Sequence, residues 1–177
     1  IGNGARRLVE RALTQDFDGE APAQLMETAY PLFQKCYQAN LHRDSVLYAG
    51  AAKTLAQCQA AGRRVGCVTN KPGAFTLPLL KAMGLSRYLD PIVSGDDLPK
   101  KKPDPLPLEH VVEQWGLPPA QCLLVGDSVS DFRAARACGM PVVLVSYGYS
   151  QGLDLFELGP DAVIDSLATV LNIIDAV

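Results

Sequence analysis

Cys122-Leu123-Leu124-Val125-Gly126-Asp127-Ser128-Val129-Ser130-Asp131 is the stretch on which the fold turns. Four apolar residues in a row read as a short strand buried on both faces, the pattern of a parallel sheet. Gly126 lets the chain turn tightly as it leaves the strand. A helix follows over Val129–Cys138, stopped by Gly139, and a second apolar run, Val142–Val145, comes next. Strand, helix and strand in so few residues make one parallel β-α-β unit, with an acidic loop at the carboxyl end of its first strand.

The same alternation extends in both directions. Upstream, Ala49–Ala61 is a helix ended by Gly62, Arg64–Thr69 a strand, and a helix opens at Pro72-Gly73 and stops at Gly84. Ile92–Ser94 is a further strand, and Pro105–Trp115 a helix closed by Gly116. Downstream, Ala162–Ile164 is a last strand and a closing helix starts near Ser166. The expectation is an α/β fold, a Rossmann-like and mostly parallel sheet with helices on both faces, over residues 48–177. Residues 1–47 differ: Leu8, Val9, Ala12 and Leu13 fall at helical spacing, and a second helix spans 22–41 with Pro31 placed to kink or split it. These residues form a separate helical lobe.

Composition narrows the function classes. The chain has 177 residues, 48% of them apolar, and a net charge of −3, which fits a folded domain with a real core. Its one basic cluster, Lys100-Lys101-Lys102, is too short for a nucleic-acid stripe. No stretch approaches the roughly 20 apolar residues of a membrane span. The five cysteines are scattered and form no C-x-x-C pair, so buried free thiols in a reducing cytoplasm are expected rather than disulfides or zinc.

In open α/β sheets ligands bind at the carboxyl ends of the strands. Thr69-Asn70-Lys71 follows the first strand, Lys102 lies in the loop after the second, and Gly126-Asp127-Ser128 with Asp131 follows the third. Two carboxylates suit Mg²⁺, a hard cation that often uses only one or two protein carboxylates. A threonine hydroxyl and backbone N–H groups suit phosphate oxygens, and a lysine offsets charge in phosphoryl transfer. Each piece has a plainer reading: Asp127 or Ser128 as a helix cap, Thr69-Asn70 as a turn, Lys102 as a solvated side chain. The combination in this order favours chemistry.

Val68-Thr69-Asn70-Lys71-Pro72, Lys101-Lys102-Pro103-Asp104-Pro105 and Gly126-Asp127-Ser128-Val129-Ser130-Asp131 resemble the second, third and fourth motifs of the haloacid dehalogenase-like phosphohydrolases. Gly2-Asn3-Gly4 with Leu8–Leu13 resembles the helical cap of the phosphoglycolate phosphatases within that superfamily. The resemblance implies a partial all-helical cap over 1–47 and a phosphatase core over 48–177. It implies that Thr69 and Asn70 bind the phosphoryl group, that Lys102 balances charge, and that Asp127 and Asp131 serve Mg²⁺, Asp131 as ligand or orienting group. Gly2, Asn3 and Gly4 would face the site from the cap and set substrate choice, with Arg11 a weaker candidate. The expected substrate is a small phosphorylated metabolite, 2-phosphoglycolate first, hydrolysed through an aspartyl-phosphate.

One motif departs. The family's first motif is an Asp-x-Asp stretch after a buried strand, its first aspartate the nucleophile. Asp16-Phe17-Asp18 follows a helix and is not that motif. The nucleophile and its strand are expected N-terminal to Ile1. Rival readings are a sugar-phosphate phosphatase or β-phosphoglucomutase-like enzyme, a non-catalytic phosphate- or metal-binding module, and a receiver-like domain, whose acidic pair should follow the first strand instead.

Overall fold

The computed structural model describes residues 4–150 and 152–175. Helices α1 (Ala5–Thr14) and α2 (Ala23–Ala39) pack together, with Val9 and Met26 their buried residues. The turn between them is braced from α1. Arg7 donates to the carbonyls of Gly19 at 2.7 Å and Phe17 at 3.1 Å, and Arg11 donates to Phe17 O at 2.8 Å. The Arg11 guanidinium also lies 3.5 Å from the Phe17 ring centroid. Arg11 is therefore a turn brace.

The α/β part contains α3 (Ala51–Ala60), β1 (Cys67–Val68), α4 (Gly73–Ala82), β2 (Ile92–Val93) and α5 (Leu106–Trp115). β3 (Leu124–Gly126), α6 (Val129–Cys138), β4 (Val142–Val145), β5 (Ala162–Ile164) and α7 (Thr169–Asp175) complete it. All strand pairs are parallel. The core is built around β4, whose four residues are all buried. Val142 and Leu144 pack with Leu108, Val112, Ala134 and Ala135 on one face; Val143 and Val145 pack with Ile164 and Val170 on the other. That split is the direct result of the two-residue side-chain period of a strand. It explains why an unbroken apolar run, rather than an alternating one, occupies this position.

Three details differ from expectation. The strands form two hydrogen-bonded ladders among the described residues, β1-β2 and β3-β4-β5, rather than one sheet. Val68 still packs against the cluster around Leu144, so the ladders share a core. The first strand is also shorter than the apolar run Arg64–Thr69, although its bonds to the β2 side reach from Val65 O to Thr69 N. Pro31 neither splits nor ends α2, which runs continuously through it.

Proline inside a helix removes one backbone bond and crowds the carbonyl four residues back, at a cost of about 3 kcal/mol. Pro31 is exposed, so little packing offsets this. Pro31→Ala should stabilise the protein by about 2 kcal/mol, after allowing for the greater freedom of the unfolded variant chain. The check is the urea midpoint; an unchanged or lower midpoint refutes it.

Candidate active site

The acidic loop is organised by helix capping. Ser128 is the N-cap of α6, and with Asp131 it forms a reciprocal capping box. Asp131 Oδ2 accepts from Asp127 N at 3.1 Å, Ser128 N at 3.1 Å and Ser128 Oγ at 2.7 Å. Its Oδ1 accepts from Lys102 Nζ at 2.7 Å. The plain reading and the chemical one thus coincide: the cap that starts the helix also fixes the carboxylate.

Lys102 is buried at 8% exposure, against the solvated alternative. Its Nζ donates to Asp131 and to the carbonyl of Val68, at the end of β1. One ammonium therefore joins the carboxyl ends of the two ladders. Asn70 Nδ2 donates to Lys102 O at 2.7 Å and so braces the lysine loop. Thr69 Oγ1 accepts from Lys71 N at 3.2 Å, which leaves its own proton to donate.

The two carboxylates have opposite titration behaviour. For Asp131, burial pushes the pKa up, but the Lys102 charge and the hydrogen bonds from Lys102, Ser128 and Asp127 N outweigh it, and the carboxyl sits below its ordinary value. For Asp127, burial again pushes upward and the Asp131 charge adds to it. The Tyr149 N–H, donating at 3.1 Å, offsets this only in part, and the carboxyl sits above its ordinary value.

Three glycines permit this density. A Cβ on Gly126 would lie 2.4 Å from Asp131 Cβ, one on Gly148 2.1 Å from Asp127 Cβ, and one on Gly95 2.3 Å from Asn70 O. Gly126 is needed for close approach, rather than for the tight turn read from its position. It is absent from the positive-φ glycines.

Thr69, Asn70, Lys102, Asp127 and Asp131 line one cavity of about 380 Å³. Gly4, Leu8, Phe33 and Tyr37 line it from α1 and α2. Gly2 and Asn3 lie outside the described residues. Gly4 has φ +92°, and a Cβ there would fall 2.7 Å from Lys101 Nζ, so the start of α1 lies against the lysine loop. Asp16 and Asp18 are exposed in the turn after α1 and do not line the cavity, consistent with rejecting them as nucleophile. Sequence reasoning missed Gly148, Gly95, Tyr149 and Tyr37. Gly95 and Gly148, two and three residues beyond strand ends, carried a local signal; Tyr37 and Tyr149 did not. A second cavity of about 420 Å³ lies at the amino ends of β1 and β2 and holds none of these residues.

Parallel strands that deliver an acidic pair, a buried lysine and a threonine hydroxyl to one cavity define a hydrolase of the phosphoric monoester class. The model of the haloacid dehalogenase-like hydrolase family matches residues 5–145, and the chain belongs to that family. It is 48% identical over 174 residues to a phosphoglycolate phosphatase of Nitrosospira multiformis, covering 98% of this chain and 77% of that one. It is 48% identical over 168 residues to another from Thiobacillus denitrificans, covering 95% and 74%. The crystal structure of a predicted phosphoglycolate phosphatase from Haemophilus somnus superposes with a TM-score of 0.89 at 34% identity, over 98% of this chain and 78% of that one.

The opposed shifts give opposed predictions. A carboxyl held below its unfolded value adds stability that is complete above the ordinary range, about pH 4, and is lost as pH falls through its folded value. Asp131→Asn should therefore cost about 3–5 kcal/mol at neutral pH, because it strands a buried ammonium, and the difference should shrink on acidification. Asp127 has the reverse sign: its charge opposes folding above its folded pKa. Asp127→Asn should raise Tm at neutral pH in metal-free buffer, with the gain fading toward pH 4. Thermal melts from pH 3 to 8 check both; a lower Tm for Asp127→Asn at neutral pH refutes the second.

Proposed function

We propose that the protein is a Mg²⁺-dependent phosphatase that hydrolyses a small phosphate monoester, 2-phosphoglycolate, in the cytoplasm. The observation that carries this reading is the Lys102–Asp131 contact beside Thr69. It joins elements after three different strands into one site of alternating charge. The names of the relatives support the substrate. Five free cysteines, three of them with thiols pushed up by burial, suit a reducing compartment. No described helix is long and apolar enough to cross a membrane. Residues 1–47 would act as part of a helical cap over the core of residues 48–177, with Gly4 toward the substrate.

The donor set fits Mg²⁺. Among the described residues no group of three or more His, Cys, Asp or Glu side chains gathers, which argues against a closed structural metal cage. Two aspartates alone suit a cation that keeps several of its waters. Asp127, whose carboxyl has a single hydrogen-bond donor among the described residues, would be the direct ligand. Asp131, with both oxygens already accepting, would orient the loop and its ligand. When bound, Mg²⁺ supplies positive charge against the phosphoryl oxygens.

Thr69 Oγ donates its proton to one phosphoryl oxygen. Lys102 has three N–H donors, of which Val68 O and Asp131 take two, so the third is left for another phosphoryl oxygen. In this reading the attacking carboxylate would be an aspartate of an Asp-x-Asp segment that the described residues do not supply. It would enter at the seam between the ladders, where β1 and β3 each have an unpaired edge among the described residues. Its oxygen would bond to phosphorus as the ester P–O bond breaks, the alcohol leaving with a proton from the second aspartate of that segment. Water, giving its proton back to that aspartate, would then attack phosphorus, break the aspartyl-phosphate bond and release inorganic phosphate and the free carboxylate.

Phosphate release by the enzyme with its Asp-x-Asp segment should require Mg²⁺ and favour 2-phosphoglycolate over hexose phosphates. Lys102→Met and Asp127→Asn should each lower kcat at least 10²-fold. A preference for sugar phosphates would move the reading to the rival enzyme class. Full activity in Asp127→Asn would remove Asp127 from the site.

A further inference from the structure

Thr69, Lys102 and the acidic loop account for the phosphoryl end of the cavity, but a second cation lines the same space. Lys71 is pinned through its backbone: its N–H donates to Thr69 Oγ1, and its carbonyl accepts from Gly95 N at 2.9 Å and Thr76 Oγ1 at 3.0 Å. Its half-buried side chain reaches toward the helical pair. Nζ donates to Tyr37 Oη at 2.6 Å and lies 5.0 Å from the Tyr37 ring centroid. Both residues line the cavity.

Tyr37 is itself held firmly. Its ring meets Phe75 edge-on, centroids 4.9 Å apart, and stacks on Phe33 at 5.4 Å. Phe75 is 2% exposed. The phenol oxygen is thus a fixed point on α2, aiming a lysine that springs from the end of β1.

Charge separates the two lysines. Lys102 is neutralised by Asp131 at 2.7 Å. Lys71 meets no carboxylate among the described residues; its partner is a neutral phenol. A half-buried ammonium that lines the cavity and meets no protein carboxylate among the described residues is free to take an anion from a ligand. The phosphoryl group has Thr69 and Lys102. Lys71 is drawn to the opposite, helical side of the cavity by Tyr37, where the non-reacting end of a small substrate would lie.

We propose that Lys71, aimed by Tyr37, is the specificity-determining residue that receives a second, non-reacting anionic group of the phosphate monoester, a carboxylate in 2-phosphoglycolate. This rests on the phosphatase reading above and names the residue pair behind its substrate class. A lysine–carboxylate contact should discriminate a phosphate ester bearing a carboxylate from one whose non-reacting end is uncharged by about 10- to 100-fold.

The test compares 2-phosphoglycolate with ethyl phosphate, which lacks the carboxylate, in the enzyme carrying its Asp-x-Asp segment. In Lys71→Met the ratio of kcat/KM for 2-phosphoglycolate over ethyl phosphate should fall about 10- to 100-fold, chiefly through KM for 2-phosphoglycolate. Lys71→Arg should recover part of that ratio, and Tyr37→Phe should lower it by a smaller factor. Recovery by arginine separates loss of charge from misfolding. Equal losses on both substrates would make Lys71 a phosphoryl-binding or structural residue and overturn the proposal. So would an unchanged ratio. A wild-type enzyme that cleaves ethyl phosphate but shows no preference for the acid sinks this proposal and leaves the phosphatase reading standing; one that cleaves neither sinks both.

Discussion

The buried ion pair between Lys102 and Asp131 is the constraint on which the rest of the molecule depends. Removing both charges from water costs several kcal/mol per ion, and their attraction alone does not guarantee a net gain. The surroundings make up the difference: two backbone N–H groups and a serine hydroxyl satisfy the carboxylate, and a strand-end carbonyl takes a second proton of the ammonium. The pair is better understood as a positioning device than as a source of stability. It ties the loop after β2 to the first turn of α6 and to the end of β1, so that two ladders without a shared hydrogen bond among the described residues present their carboxyl ends together.

From that contact follows a division of roles between two aspartates only four residues apart. Asp131 has four donors and is held ionised; it has little capacity left for anything else. Asp127 has one donor among the described residues; its burial, and then the neighbouring charge of Asp131, disfavour its ionised form. Such stress is relieved by a cation, and a group poised this way marks a binding site more often than a structural one. Gly126 and Gly148 are the steric counterpart. Each lacks a side chain where an aspartate passes, so the site is held in a volume that any larger residue would force apart.

Local chemistry was the legible part. Gly62, Gly84, Gly116 and Gly139 stop helices and all adopt positive φ. α6 and β4 run over the residues their patterns mark, because a capping box, a helix-stopping glycine and a four-residue apolar run are each complete within a few residues. Hydrogen bonding across the chain was not legible. The apolar run Arg64–Thr69 cannot reveal that only Cys67 and Val68 form ladder pairs, since that depends on where β2 lies. Lys102 looks solvated in its Pro-rich loop, because its burial is created by Val68 and Asp131, 34 and 29 residues away. The motif resemblance supplied what periodicity could not: which of several strand-end loops converge.

The two ends of the cavity are built from different materials, and this bears on how recognition is divided. The end proposed to take the phosphoryl group consists of strand ends and a helix start, whose backbone groups are fixed by parallel pairing and capping. The far end is a contact between elements: α2 meets the α/β part through Tyr37, Phe75 and Lys71. The reacting group is the same for every phosphate monoester and suits a rigid frame, whereas substrate identity lies in the remainder. Placing that remainder against a helical pair lets recognition change with the helices while the Lys102–Asp131 frame stays intact. It also couples the two, because Lys71 follows Thr69 by only two residues. Under the proposed reading, whatever Lys71 holds would thereby lie close to the hydroxyl proposed to bind a phosphoryl oxygen, so a short acid phosphate would be selected by length as well as by charge.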